Sequence, residues 1–224
     1  MNKQSIYLFF VVFLLFPFSL MAQNEEWEKH RIKFTPTRMV NLFYPGLELG
    51  YEYCNGNFSS QLSAAYLLNF FNSYNSLNGY HVKFEEKYFF KRQPSNNRVK
   101  IYLSAEINYN YAKLNQNLMF STTEYEQSDL WEHGEYEYSG NFDLKRKSIV
   151  TNLKMGTQIR FRKIIFEPCA GIGIGFQNVV LYNKRHPDDI LLNSECFTIY
   201  NLTDKEGFSI LPNFTMSFRI GYMF

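Results

Sequence analysis

The segment Phe214–Phe224, FTMSFRIGYMF, decides the fold. Phe214, Met216, Phe218, Ile220, Tyr222 and Phe224 share one parity, and Thr215, Ser217, Arg219 and Gly221 share the other. In a β-strand these two sets point to opposite faces. One face is therefore continuously apolar and the other is polar or tiny. That pattern suits a wall with lipid on one side and a polar interior on the other. An aromatic, Phe224, closes the segment with no polar tail behind it.

Working back from this segment, the same alternation recurs, with no convincing helical period. Leu47–Tyr53 sets Leu47, Leu49, Tyr51 and Tyr53 against Glu48, Gly50 and Glu52. Cys54-Asn55-Gly56-Asn57 supplies a tight hairpin turn, because Asn-Gly tolerates positive φ. Phe58–Leu68, Tyr80–Phe90, Val99–Tyr111, Ile149–Phe161 and Ile164–Phe176 alternate in the same way. Glu86 interrupts the apolar face of Tyr80–Phe90, which implies a bulge or a rim position. Arg31 to Met39 reads as a further strand, weakened by Pro36.

The total is eight strands, the smallest common size for a single-chain outer-membrane barrel. An even count puts both ends of the chain on the periplasmic side. The connections on that side are then Asn55-Gly56, 91–97 and Arg162-Lys163, all short. The other connections include the two longest, 113–143 and 182–207. Short inner turns and long outer loops are the asymmetry expected of such a barrel. Tyr51, Tyr53, Phe58, Tyr88, Phe90, Phe161, Phe166, Tyr222 and Phe224 collect at the inner rim, as an interfacial aromatic girdle would.

Residues 1–22 have the three-part form of a secretory signal peptide: Lys3, an apolar run from Ile6 to Leu15, and small residues before a cut after Ala22. The competing reading, a transmembrane anchor, is disfavoured by the short apolar stretch and by Pro17. The organisation expected is a signal peptide over 1–22 and a barrel domain over 23–224. Without a spanning helix, only a closed barrel satisfies every backbone group in lipid. Composition agrees, with 17 Tyr, 23 Phe and 20% charged residues. A net charge of +2 gives no argument for nucleic acid. Cys54, Cys169 and Cys196 are an odd set with no readable pairing and no zinc spacing.

The export signal, GLELGYEY near the first hairpin, EPCAGIGIGF in the penultimate strand and the terminal SFRIGYMF resemble the small outer-membrane β-barrel domain proteins of Gram-negative bacteria. The resemblance covers nearly the whole processed chain. It implies a cell-envelope, porin-like architecture in the outer membrane. It also implies recognition of the terminal strand by the barrel-assembly machinery, with Phe218, Tyr222 and Phe224 as the matching positions. It does not imply an activity.

The inward face carries Glu48, Glu52, Lys83, Glu85, Lys87, Lys100, Glu106, Lys154, Arg160, Glu167 and Arg219. These residues read either as a selectivity ring or as a salt-bridged core. Eight strands leave little room beyond their own side chains, which favours the packed core. Gly171, Gly173 and Gly175 make room for large partners or allow curvature. Glu85 and Glu86 point to opposite faces, and Asp188-Asp189 reads as a solvated turn, so neither pair suggests a metal or acid–base site. His81 near Ser63 is the nearest approach to a nucleophile with its base, and it has no orienting motif. His133 and His186 lie in loops. Tyr125, Trp131, Tyr136, Tyr138 and Phe142 in the 113–143 stretch offer a contact surface or extend the hairpin above the membrane.

The expectation is an eight-stranded antiparallel up-and-down transmembrane β-barrel. It would have a packed polar lumen, a structural or surface-interaction role and no enzymatic activity or cofactor. Its partners would be outer-membrane lipid, the assembly machinery and a surface ligand or protein met through loops. A small-solute channel, a lipid-modifying barrel enzyme and a soluble lipocalin-like barrel are the rivals.

Overall fold

The computed structural model describes residues 29–39, 45–69, 75–90, 98–121, 138–183, 190–191 and 206–224. Alternating sequence becomes long antiparallel strands: β1 (His30–Phe34), β2 (Gly46–Asn55), β3 (Phe58–Leu67), β4 (Ser76–Phe89), β5 (Val99–Ser121), β6 (Tyr138–Phe161), β7 (Ile164–Tyr182) and β9 (Gly207–Met223). Between β7 and β9 a two-residue strand, β8 (Ile190–Leu191), adds to the far end of β5. Each long strand pairs with the next along the chain, and β9 also pairs with β1. The eight long strands therefore form a closed ring. Closure rests on four residue pairs, from Arg31 opposite Met223 to Phe34 opposite Ile220. The Phe224 N–H extends it by donating to the His30 carbonyl at 3.1 Å. No helix among the described residues is long and apolar enough to cross a membrane.

The first strand is shorter than Arg31–Met39. It ends at Phe34, and Pro36 opens a 3-10 turn, Pro36–Arg38. Proline has no N–H for a ladder and fits the first position of a helical turn. The β2–β3 turn centres on Gly56-Asn57, one residue beyond Asn55-Gly56, with Gly56 at φ +59°. Glycine takes that dihedral without a steric cost. Arg162 turns β6 into β7 at φ +55°. Pro168 interrupts the β6–β7 pairing between Gly156–Cys169 and Ile159–Phe166, as a missing N–H requires.

The 113–143 stretch expected as a loop is strand at both ends, over 113–121 and 138–143. β5 runs on to Ser121 and β6 starts at Tyr138, in unbroken register from Val99–Ile159 to Phe120–Tyr138. Only 122–137 lie between them, outside the described residues, with Tyr125, Trp131, His133 and Tyr136. The 182–207 connection keeps β8, and most of the remainder, with His186, Asp188, Asp189 and Cys196, is likewise outside. So are residues 1–22, the expected signal peptide. Cys54 and Cys169 are free thiols.

The two faces of the ring change character along its axis. In the half nearer the short turns, the outward face is apolar: Leu62, Leu103, Ile107, Leu153, Met155, Ile172 and Phe214 are all exposed. The inward face there is charged, and Glu52, Glu85, Glu167 and Arg219 are each 0% exposed. In the far section the assignment reverses. Leu67, Ala112, Leu114, Leu118, Phe120, Phe142, Leu144, Val179 and Leu181 point inward and pack into one buried cluster. Phe120 and Phe142 meet edge to face, 4.8 Å between centroids. The outward positions of the same strands are Lys113, Asn117, Asn141, Asp143 and Lys147, all exposed.

Tyrosines mark the reversal on the outer surface. Tyr66 lies opposite Tyr80, and Tyr80 opposite Tyr111. The Tyr80 and Tyr111 rings stack at 5.3 Å. At the other rim Phe58 packs on Tyr88 at 5.2 Å, and Tyr88 on Phe90 at 5.8 Å. From Tyr80 to Phe90 is about 34 Å along a strand at ~3.4 Å per residue. A tilt of roughly 40° reduces that to about 26 Å along the ring axis, close to the height of an outer-membrane apolar band.

Candidate functional site

The charged inward face closes on itself. Glu167 of β7 is the hub. Its carboxylate accepts from Lys87 at 2.8 Å, Arg219 at 2.8 Å, the Tyr102 hydroxyl at 2.9 Å and Gln158 at 2.7 Å, and it also pairs with Lys33. These five donors come from β1, β4, β5, β6 and β9. Glu52 of β2 takes Arg31 at 3.0 Å, Lys33 at 2.9 Å, Lys87 at 2.7 Å and the Ser59 hydroxyl at 3.0 Å. Gln61 of β3 accepts from Lys87 at 2.7 Å. All eight long strands thus contribute to one network.

A second tier follows along the axis. Glu85 pairs with Arg219 at 2.6 Å and Lys154 at 2.9 Å, and accepts from Ser104 at 2.7 Å. Glu106 pairs with Lys154 at 2.5 Å and accepts from Asn152 at 2.9 Å. Glu48 then takes Lys83 at 2.5 Å and the Thr35 hydroxyl at 2.7 Å. A buried charge is tolerable when paired and hydrogen-bonded, and each carboxylate here meets both conditions.

Small residues make the crossing side chains possible. A Cβ on Gly156 would strike the Tyr102 ring, which reaches across to Glu167. A Cβ on Gly171 would strike the Lys154 side chain and the Leu153 carbonyl. Gly175 has room, its nearest neighbour being a Val150 methyl at 3.4 Å. Gly171 therefore serves the network, and Gly175 does not.

Above the second tier lies a polar cavity of about 180 Å³, between the network and the apolar cluster. Thr35, Arg38, Glu48, His81, Lys83, Asn108, Asn110 and Asn213 are among its lining residues. Asn110 donates its amide to Asn108 at 2.9 Å and to the Ser148 hydroxyl at 3.1 Å. Its carbonyl oxygen is left to accept, so His81 carries a proton on Nδ1 and gives it to Asn110. His81 Nε2 is buried without a hydrogen bond, 3.9 Å from Glu48.

Of the residues expected inward, Glu48, Glu52, Lys83, Glu85, Lys87, Glu106, Lys154, Glu167 and Arg219 are brought together in the buried network. Lys100 is half-buried at the turn end, with its ammonium 5.8 Å from the Phe89 ring centroid. Arg160 is exposed beside the β6–β7 turn, where its Nε donates to the Arg162 carbonyl at 3.0 Å. Phe218 and Tyr222 are half-buried on the outward parity, and Phe224 stacks on His30 at 6.2 Å. Glu86 is exposed on the outer face in continuous register with Ser60 and Ala105, so no bulge accounts for it. It sits two residues from Tyr88, beside the rim.

His81 and Ser63 are not brought together. His81 lies opposite Ala65, whereas Ser63 lies opposite Lys83 and accepts from Gln61 at 2.8 Å. Among the described residues no three His, Cys, Asp or Glu side chains cluster as a metal would need. Arg31 and Lys33 are network members that the sequence reading did not assign. Their alternation with Ile32 and Phe34 was the available signal. Searches of protein-family models and of curated proteins find no match to this chain.

Proposed function

We propose that the chain is an exported outer-membrane β-barrel with a cross-braced polar interior and a structural or surface-interaction role. The observation that carries this reading is the reversal of polarity along single strands. A soluble lipocalin-like barrel keeps apolar residues inside over its full height. A ring with charge inside and an apolar outer band about 26 Å tall suits hydrocarbon there. The polar outside and apolar inside of the far section suit water. The two tyrosine and phenylalanine belts stand where the two media would meet. The resemblance of the terminal strand to barrel-assembly signals supports the same location.

Conduction is disfavoured by two features in series. The ion-pair network fills the cross-section near the short turns, and the apolar cluster from Leu67 to Leu181 fills it beyond the cavity. Enzymatic turnover is disfavoured because among the described residues His81 and Ser63 are not paired as base and nucleophile. The far end of the β5–β6 hairpin is then the surface offered to a partner. Fractionation tests the location: the folded chain should reach the outer membrane and migrate faster on gels unless heated. Recovery in the soluble periplasm would refute the reading, and discrete openings in planar bilayers would restore the channel.

A further inference from the structure

The ring is closed by a strand of only five residues, and beyond Thr37 no strand among the described residues continues the wall beside β9. β9 pairs with β7 from Ile164–Tyr222 to Val179–Gly207. On its other side β9 pairs with β1 only from Ile220 to Met223. The Phe218 N–H and carbonyl both meet the Thr37 hydroxyl, at 3.2 and 3.4 Å. Backbone groups alternate in direction, so those of Met216, Phe214, Ile210 and Phe208 point the same way as those of Phe218. Among the described residues no strand receives them. Pro212 shares that orientation and has no N–H to leave unpaired, as suits an edge.

The polar cavity reaches this edge. Its lining includes the inward residues Asn213, Thr215 and Ser217 and the outward residues Phe214 and Met216. Both faces of one strand line a single cavity only where the cavity passes around the strand's edge. The inward side chains of β9 there are half-exposed, while His81, Asn108 and Asn152 at the other walls are buried. Met216 is 85% exposed. Ion pairs close the cavity on one side along the axis and the apolar cluster on the other, so its access is sideways.

Among the described residues the buried ionic groups around the network and cavity carry one more positive than negative charge. Near the short turns and the cavity, six buried cations (Arg31, Lys33, Lys83, Lys87, Lys154 and Arg219) face five buried carboxylates (Glu48, Glu52, Glu85, Glu106 and Glu167) among the described residues. Arg38 also lines the cavity. A polar cavity of about 180 Å³ has room for a carboxylate or phosphate with partial hydration.

We propose that this side opening binds the single anionic head of an amphiphile. The head lies in the cavity near Arg38, Lys83 and Asn213, and the chain runs along Phe214 and Met216 on the apolar outer face. The proposal rests on the ring standing in a membrane. Carboxylate and phosphate heads share the required chemistry, and the test separates them.

The folded full chain in nanodiscs is titrated with laurate, dodecyl phosphate, dodecanol and inorganic phosphate, with bound ligand read by native mass spectrometry. One equivalent of laurate or dodecyl phosphate is expected, and whichever binds tighter identifies the head. Arg38→Met and Thr215→Trp, which fills the opening, should each weaken binding by about tenfold or more. A photoreactive group on the first carbons of the chain should label β9 beside Met216. Dodecanol binding as tightly as the anions would overturn the charge argument. Inorganic phosphate binding as tightly as dodecyl phosphate would overturn the amphiphile. Unaltered binding in Thr215→Trp would overturn the route, and disulfide-linked dimers of Met216→Cys would assign the edge to a second copy. The wild-type titration decides even if a variant does not fold. Heat-modifiable migration, measured on the same samples, reports separately on whether the ring spans the bilayer.

Discussion

Replacing Glu167 with glutamine removes one negative charge from the centre of the ring and keeps its shape. Three cations lose a partner, but each retains another. Lys33 is 2.9 Å and Lys87 2.7 Å from Glu52, and Arg219 is 2.6 Å from Glu85. The Tyr102 hydroxyl keeps an acceptor if the glutamine carbonyl turns toward it. The amide NH₂ must then face Lys33 or Arg219, donor against donor. Breaking a buried pair by removing one partner costs about 3–5 kcal/mol. The retained shape and residual pairing place Glu167→Gln at the lower end, about 3 kcal/mol. Glu167→Ala adds a void and belongs nearer 5 kcal/mol.

A loss of about 3 kcal/mol changes the folding equilibrium by roughly a hundredfold. Urea unfolding from lipid vesicles, followed by gel mobility and tryptophan fluorescence, measures it. Adding Lys87→Met to Glu167→Gln removes the cation that the missing charge leaves in excess. The double variant should recover about 1 kcal/mol relative to the sum of the singles, within the usual coupling range. Glu86→Gln on the outer face is the control and should lie within about 0.5 kcal/mol of wild type. If Glu167→Gln matches that control, the network contributes nothing and the cross-bracing argument is wrong.

Leu153→Arg should destabilise the folded state in vesicles by about 2–4 kcal/mol, because Leu153 faces outward between Ala105 and Ile172. Asn117→Arg, outward in the far section, should be silent; equal effects in vesicle unfolding would remove the polarity boundary. Gly171→Ala should cost about 1–3 kcal/mol through its clash with Lys154 and the Leu153 carbonyl, while Gly175→Ala stays within about 0.5 kcal/mol. The same urea titration separates them, and the reverse order would refute the packing reading. Phe224→Ala should reduce assembly in cells, seen as loss of the heat-modifiable band, while refolding into detergent stays near wild type. Equal impairment in both settings would make Phe224 a stability residue and not an assembly signal.

The near section was legible because apolar-out, polar-in alternation is uninterrupted from Val99 to Tyr111 and is broken only at Val150, Thr151 and Thr157 from Ile149 to Phe161. That parity placed Glu52, Glu85, Glu106, Lys154, Glu167 and Arg219 on one face without further information. It did not say which carboxylate would be central. Glu167 becomes the hub because ring closure brings β1, β4, β5, β6 and β9 around it, and no local pattern encodes that convergence. Arg160 has the same parity as Lys154, yet it stands at the turn, where the ring ends and water begins. Parity fixes a face and says nothing about depth.

The far section was misread for a reason internal to the pattern. From Ala112 onward the alternation continues, broken only at Gln116 and Met119: Ala112, Leu114, Leu118 and Phe120 share the parity of Glu106 and Asn108, all pointing inward. What changes at Tyr111 is the sign of the pattern, with apolar side chains now inside and Lys113 and Asn117 outside. A reading that expects apolar residues outward sees such a strand as noise, and noise reads as loop. The backbone does not register the change, since β5 and β6 pair in one register across it. A reversal of sign without a break in period is what a single strand must show when it leaves hydrocarbon for water. The boundary of the proposed membrane is therefore written in the sequence, at the tyrosines where the period persists and the polarity inverts.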